Sequence, residues 1–268
     1  MKPETGVALV TGASSGIGRE FARLLAAEGR PLLLVGRDQG RLNEVAEEAR
    51  TTHGVAVWAH PCDLGRPGAA RELFDFTRGE GLEIEFLINN AGFGLYGEHV
   101  DLDLTRLHQM LQVNVGALAE LCLLYGAEMK RRKSGRILNV ASTAAYQPTP
   151  YLAAYGASKS FVLSFSEALA MELADHGVTV SCVSPGPTDT AFFGDMEARG
   201  AASGHFAKSR RQDAREVARI GLDAMMTGRL SKVVGAKNAF LAWSNRLAPR
   251  KLVAKVSKGL MRSSAGSS

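Results

Sequence analysis

The residues best suited to chemistry are Tyr155 and Lys159, four apart in Tyr-Gly-Ala-Ser-Lys. On a helix that spacing sets a phenol and an ammonium on one face, one turn apart. A positive charge held there favours the phenolate, so Tyr155 is expected to exchange its proton nearer neutral pH than an isolated tyrosine. Ser142 ends an apolar run, Asn-Val-Ala-Ser, thirteen residues upstream. A hydroxyl at such a position could hold a substrate oxygen as charge develops on it. Asn114 interrupts a stretch rich in Leu and Ala, where an amide is costly unless its hydrogen bonds are used, for instance through an ordered water. From the residues alone, Ser142 also reads as a cap and Asn114 as a satisfied core amide.

Elements that would position these groups follow from periodicity. Short apolar runs at 7–11, 31–36, 55–60, 84–89, 136–141, 178–184 and 232–234 read as strands. They alternate with helical patterns at 19–28, 39–53, 67–78, 104–132, 155–176 and 213–227. Continuously apolar strands alternating with amphipathic helices indicate an α/β fold, a doubly wound parallel sheet of seven strands in a single domain. Ligands of such sheets sit at the carboxyl ends of the strands.

A dinucleotide loop stands where that rule requires. Thr11-Gly12-Ala13-Ser14-Ser15-Gly16-Ile17-Gly18 follows the first strand and opens the first helix. Glycines there let backbone N–H groups approach a pyrophosphate at the positive end of a helix. No Gly-Lys-Ser/Thr follows, which excludes a P-loop. The second strand ends in Gly36-Arg37, with glycine where an acid would bind the ribose of NAD and an arginine able to pair with a 2′-phosphate. NADP(H) is therefore favoured over NAD(H), although Asp38 stands next to Arg37. Asp63 could accept the adenine amino group or cap the third helix. Asn89-Asn90-Ala91-Gly92 reads as polar backbone against a ligand or as a turn.

These features together resemble the short-chain dehydrogenase/reductase family, and its bacterial carbonyl-reductase branch in particular. The match runs from the glycine loop through Asn90-Ala91-Gly92, Asn114, Ser142, Tyr155 and Lys159 to Pro185-Gly186-Pro187-Thr188, in the family's order and spacing over residues 6–235. The resemblance implies a Rossmann fold and hydride transfer between a nicotinamide and a carbonyl or alcohol. It makes Tyr155 the general acid/base and gives Lys159 the nicotinamide ribose and the lowering of the Tyr155 pKa. Ser142 would orient the carbonyl and Asn114 would hold a relay water. Pro185, Gly186 and Thr188 would surround the nicotinamide. Ser15 occupies a loop position that carries a basic residue in some NADP-binding members.

Composition sets the remaining bounds. The 268 residues are 46% hydrophobic and 22% charged, ordinary for one globular domain. Cys62, Cys122 and Cys182 have no metal-ligand spacing and read as reduced thiols of a cytoplasmic protein. No segment reads as a signal peptide or approaches a membrane span. The net charge of +5 is uneven: nine Lys/Arg and no Asp or Glu follow residue 223, so the body is mildly acidic. Nothing in that distribution marks a nucleic-acid binder.

Residues 1–235 form the expected catalytic domain, with 190–212 as a lid over a mostly apolar pocket. Residues 236–262 form a basic amphipathic helical extension and 263–268 a disordered tail. The extension is expected to pack over the active-site rim or a neighbouring subunit, with a peripheral membrane contact through 238–262 as the alternative. Gly156, Ser160, Ser164 and Ala168 make a small-residue stripe suited to pairing, so a homodimer or homotetramer is expected. Two rivals to a small-molecule reductase are a dinucleotide sensor without turnover and a membrane-bound scaffold. Retention of Tyr155, Lys159, Ser142 and Asn114 favours the enzyme.

Overall fold

The computed structural model describes residues 6–189, 211–245 and 247–261. Strands β1 (Val7–Thr11) and β2 (Leu32–Gly36) are wholly buried. In β4 (Ile84–Asn89), β5 (Gly135–Val140) and β6 (Val178–Ser184) only Glu85, Arg136 and Thr179 escape full burial. The edge strands β3 (Val57–Pro61) and β7 (Ser231–Val233) are partly exposed, and Pro61 closes one of them, where proline is tolerated.

All seven strands are parallel, in the order β3-β2-β1-β4-β5-β6-β7. The chain winds outward from β1 to β3, then returns to lay β4 on the other side of β1. That reversal opens a crevice at the carboxyl ends of β1 and β4.

Helices cover both faces, as the continuous apolar strands require. On one side α1 (Gly16–Ala27), α2 (Gln39–His53) and α7 (Ala214–Met226) pack Phe21, Leu42 and Val217 against Val10, Leu34 and Ile88. On the other, α3 (Ala69–Gly79), α5 (Leu118–Arg132) and α6 (Ala153–Ala174) pack Leu73, Tyr125 and Val162 against Leu9, Leu33 and Leu87. Helix α2 starts where the Asp38 carboxylate accepts the Arg41 N–H at 3.0 Å and stops at left-handed Gly54.

Several expectations shift. The third strand starts at Val57 and the third helix at Ala69, because left-handed Gly68 (φ 82) stands at its N-cap. Helix α6 begins at Ala153, which puts Tyr155 inside its first turn. The helix expected over 104–132 divides into α4 (Leu104–Leu111) and α5, joined by a π-helical turn at Gln112–Ala117. By length and mean hydropathy (1.4) this 29-residue helix could cross a membrane, contrary to the expectation that no segment approaches a span. It buries Met110, Leu121, Tyr125 and Met129 in the core and is a core helix here. The extension contains α8 (Ala236–Ser244) and α9 (Arg250–Met261). Of the expected lid only Arg211 and Gln212 are among the described residues, and the 263–268 tail lies outside them.

Candidate active site

The carboxyl ends of the strands open on a cleft of about 1500 Å³. A single drug-sized ligand needs roughly 300–1,000 Å³, so this volume admits a dinucleotide and a second molecule beside it. Gly12, Ser14, Ser15, Gly16 and Ile17 line it from β1 and α1, Arg37 and Asp63 from the ends of β2 and β3. Asn90, Ala91 and Gly92 line it after β4, Ser142 after β5, Tyr155 and Lys159 from α6, and Pro185, Gly186 and Thr188 after β6. Gly18 and Asn114, also expected in the site, lie behind this surface.

The loop after β1 is built for close approach. Gly12 has φ +65, and a Cβ on Gly18 would strike the Gly12 carbonyl oxygen. Thr11 Oγ1 accepts the N–H groups of Asn90 and Ala91, both at 3.0 Å, and Asn90 Nδ2 donates to Thr11 O at 3.0 Å. The Asn90 amide is thus spent on fixing the loop. Ser15 caps α1 without a side-chain hydrogen bond, and no acidic residue stands in the first turn. The first N–H groups of a helix have no intrahelical partner, so this end offers donors and positive potential to an anion. The residues present fit a pyrophosphate.

At the end of β2, Gly36 leaves room that a carboxylate would fill. Asp38 also lines the cleft, where its carboxylate caps the Arg41 N–H and stands 3.4 Å from Arg41 Nε. Arg41 lines the cleft beside Arg37 and was not singled out from the sequence. Asp63 does not cap α3; its Oδ1 accepts the Gly65 N–H at 3.0 Å in a tight turn.

Tyr155 and Ser142 line the cleft together, and the Ser142 hydroxyl acts on the phenol. The Ser142 Oγ accepts the Ala144 N–H at 3.1 Å and caps the short helix Thr143–Tyr146. Burial pushes the Tyr155 phenol up to about 12, while the Ser142 hydroxyl acts the other way. This corrects the expectation of a phenol drawn toward neutrality. Lys159 is 5% exposed, its Nζ donates to Val140 O at 2.9 Å, and it lies 5.9 Å from the centre of the Tyr155 ring. Burial pushes its ammonium down to about 8. Desolvation, which residue spacing does not convey, dominates at both groups.

Asn114 is fully buried in the π-helical turn, a feature frequent at functional sites. Its Nδ2 donates to Phe93 O and to Ser158 Oγ, both at 3.0 Å, and its Oδ1 accepts the Phe93 N–H at 3.1 Å. Both amide hydrogens are spent inside the protein, where the side chain fixes the Gly92-Phe93 backbone. Gly92 permits that approach, since a Cβ there would stand 2.8 Å from Asn114 Oδ1.

Other supports had no local signal. Gln212 Oε1 accepts the Gly186 N–H at 2.8 Å and its Nε2 donates to Val234 O at 2.9 Å, holding the loop after β6. Asn245 Nδ2 donates to Gln147 Oε1 at 2.7 Å and ties α8 to the cleft wall. The small-residue stripe splits: a Cβ on Gly156 would meet Thr149 Oγ1, and Ser160 Oγ donates to Ala145 O at 2.9 Å. Only Ser164 and Ala168 of that stripe are exposed.

A parallel sheet with an anion loop at its switch point, and a phenol and an ammonium in the same crevice, defines a dinucleotide-binding oxidoreductase of the Rossmann type. The short chain dehydrogenase family is matched over residues 6–200, and the chain belongs to that family. It is 35% identical over 191 residues to an uncharacterised oxidoreductase of Staphylococcus saprophyticus, covering 71% of this chain and 82% of that one. Among solved structures it is similar to a 7β-hydroxysteroid dehydrogenase (TM-score 0.83, 26% identity, 94% and 96% of the two chains). It is also similar to a short-chain dehydrogenase of Sphingobium yanoikuyae in complex with NADPH (TM-score 0.81, 28% identity, 98% and 99%).

Proposed function

We propose that the protein reduces a ketone or aldehyde to an alcohol with NADPH, Tyr155 acting as the general acid. The observation that carries this reading is the meeting of Ser142, Tyr155 and Lys159 on one crevice, where the Ser142 hydroxyl favours the Tyr155 phenolate. When bound, the nicotinamide cofactor supplies the hydride. Ser142 and Tyr155 present hydroxyls to one substrate oxygen. A phenol with a pKa near 12 keeps its proton at neutral pH and is suited to donating it as negative charge grows on that oxygen. The Lys159 ammonium, present below about pH 8, stabilises the phenolate left behind. Asn114 positions the Phe93 backbone. A dinucleotide sensor without turnover has no use for this proton donor.

The preference for NADPH is supported by Arg37 and Arg41 on the cleft and by the capping role of Asp38. The bound NADPH of the Sphingobium relative agrees with it. A panel of ketones and aldehydes assayed with NADPH and NADH side by side tests both parts. Alcohol formation with NADPH and at least about tenfold weaker use of NADH is expected, from charge-assisted bonds to the 2′-phosphate. Equal use of the two cofactors would remove the NADPH assignment, and no turnover on the panel would remove the reductase.

The proposed place of action is the cytoplasm. Contact with an anionic membrane is a second reading, favoured by Phe240, Trp243 and Leu247, which are exposed on and after α8 beside Lys237 and Arg250. Co-sedimentation with vesicles containing phosphatidylserine tests it, and recovery of all protein in the supernatant would end it.

A further inference from the structure

The outer wall of the cleft is α9, and it carries more apolar surface than it packs. Its anchored face holds Val253, Ala254, Met261 and the buried Ser257. Tyr96 Oη donates to Met261 O at 2.7 Å, and Met261 packs with Tyr155 against Leu152. The C-terminal end of α9 is therefore fixed beside the proton donor. A second stripe, Leu252, Val256 and Leu260 at i, i+4 and i+8, lines the same cleft yet is 54%, 54% and 46% exposed. Eight residues of helical rise make that stripe about 12 Å long.

Single exposed leucines need no explanation, but an aligned apolar wall inside a ligand cleft marks a binding surface. Lys251, Lys255 and Lys258 are not among the lining residues, so α9 offers this wall no charge. Leu241 of α8 lines the cleft as well and is 49% exposed.

We infer that the Leu252–Val256–Leu260 stripe binds an extended, uncharged apolar tail of the substrate, running from the carbonyl at Tyr155 along α9 toward Arg250. The inference rests on the reductase reading above and adds the substrate class: ketones bearing a linear hydrocarbon chain. A compact ketone leaves the stripe in water, whereas a tail buries it one methylene at a time.

The test is a homologous series, butan-2-one, hexan-2-one, octan-2-one and decan-2-one, on the wild type and on Leu252→Asp and Val256→Asp. In the wild type kcat/KM is expected to rise about two- to fourfold per methylene. Each variant is expected to lower the decan-2-one to butan-2-one ratio at least tenfold. Calorimetric binding of decan-1-ol and butan-1-ol gives the same comparison without turnover. A flat series in both measurements overturns the inference and leaves the reductase standing. A chain-length slope that neither variant alters overturns it too, including the case where a variant changes only the oligomeric mass. Chain-length-dependent binding that both variants abolish, with no turnover of any ketone, upholds the groove and removes the reductase reading.

Discussion

Ser142 and Tyr155 bring hydroxyls from two elements to one cleft, the first from the exit of β5 and the second from the first turn of α6. The Ser142 hydroxyl lowers the phenol's affinity for its proton while burial raises it, and burial is the larger effect. Replacing Ser142 with Ala removes the opposing contribution. In the proposed reaction kcat should fall about 10²–10³-fold, as for loss of an oxyanion donor. The pH profile of alcohol oxidation, which needs the phenolate, should move to higher pH. An unmoved profile would separate Ser142 from the tyrosine's titration.

Lys159 is held at about 8 by burial, against an ordinary 10.5. Reduction rates that need the ammonium should therefore fall as pH rises through about 8. Stability moves the opposite way. Between the two values the unfolded chain binds the extra proton, so stability rises with pH from about 8 and levels off near 10.5. The displacement corresponds to on the order of 3 kcal/mol. Lys159→Met should consequently raise the thermal midpoint at pH 7 while abolishing turnover. A lowered midpoint would contradict the assigned cost of burying this charge.

Gly18 supports the dinucleotide loop from beneath, and the atom that a Cβ there would strike is the backbone oxygen of Gly12. Backbone cannot rotate aside as a side chain does. Gly18→Ala should cost about 1–3 kcal/mol of stability through overpacking. It should also weaken NADPH binding, read by nucleotide fluorescence titration. Unchanged binding would mean that the loop does not hold the phosphates.

Exposed Leu123 (71%), Phe161 (41%) and Met171 (64%) lie on α5 and α6, and Phe161 stacks with Phe165 at 5.4 Å. We propose that a second copy of the chain covers this face, which includes the exposed Ser164 and Ala168 of the small-residue stripe, while the first half of the stripe packs internally. Phe161→Asp combined with Met171→Asp should convert a dimer or tetramer to monomer in sedimentation velocity. A wild type that sediments as a monomer would contradict the proposal.

Much of this architecture is legible in the residues. Buried strands such as 84–89 announce themselves as apolar runs between amphipathic segments, and the Thr11–Gly18 motif marks the first crossover. Asn114 stood out as a costly amide, yet its partners Phe93 and Ser158 are set by a π-helical turn that no period reveals. The direction of the Tyr155 shift was hidden because spacing gives the charge of Lys159 but not the desolvation of both groups. Gln212 was hidden for another reason: its partner Gly186 lies 26 residues away, joined to it only by tertiary folding. Arg41 falls in the first turn of α2, four residues after Arg37 in the sequence, a signal present once α2 is placed.

The most direct measurement is single-turnover NADPH oxidation by Tyr155→Phe with a ketone that the wild type reduces, alongside NADPH binding by the same variant. Loss of the phenolic proton should slow the chemical step about 10²–10⁴-fold while the cofactor binds as before. A variant that oxidises NADPH at the wild-type rate would contradict the role of Tyr155 as the acid.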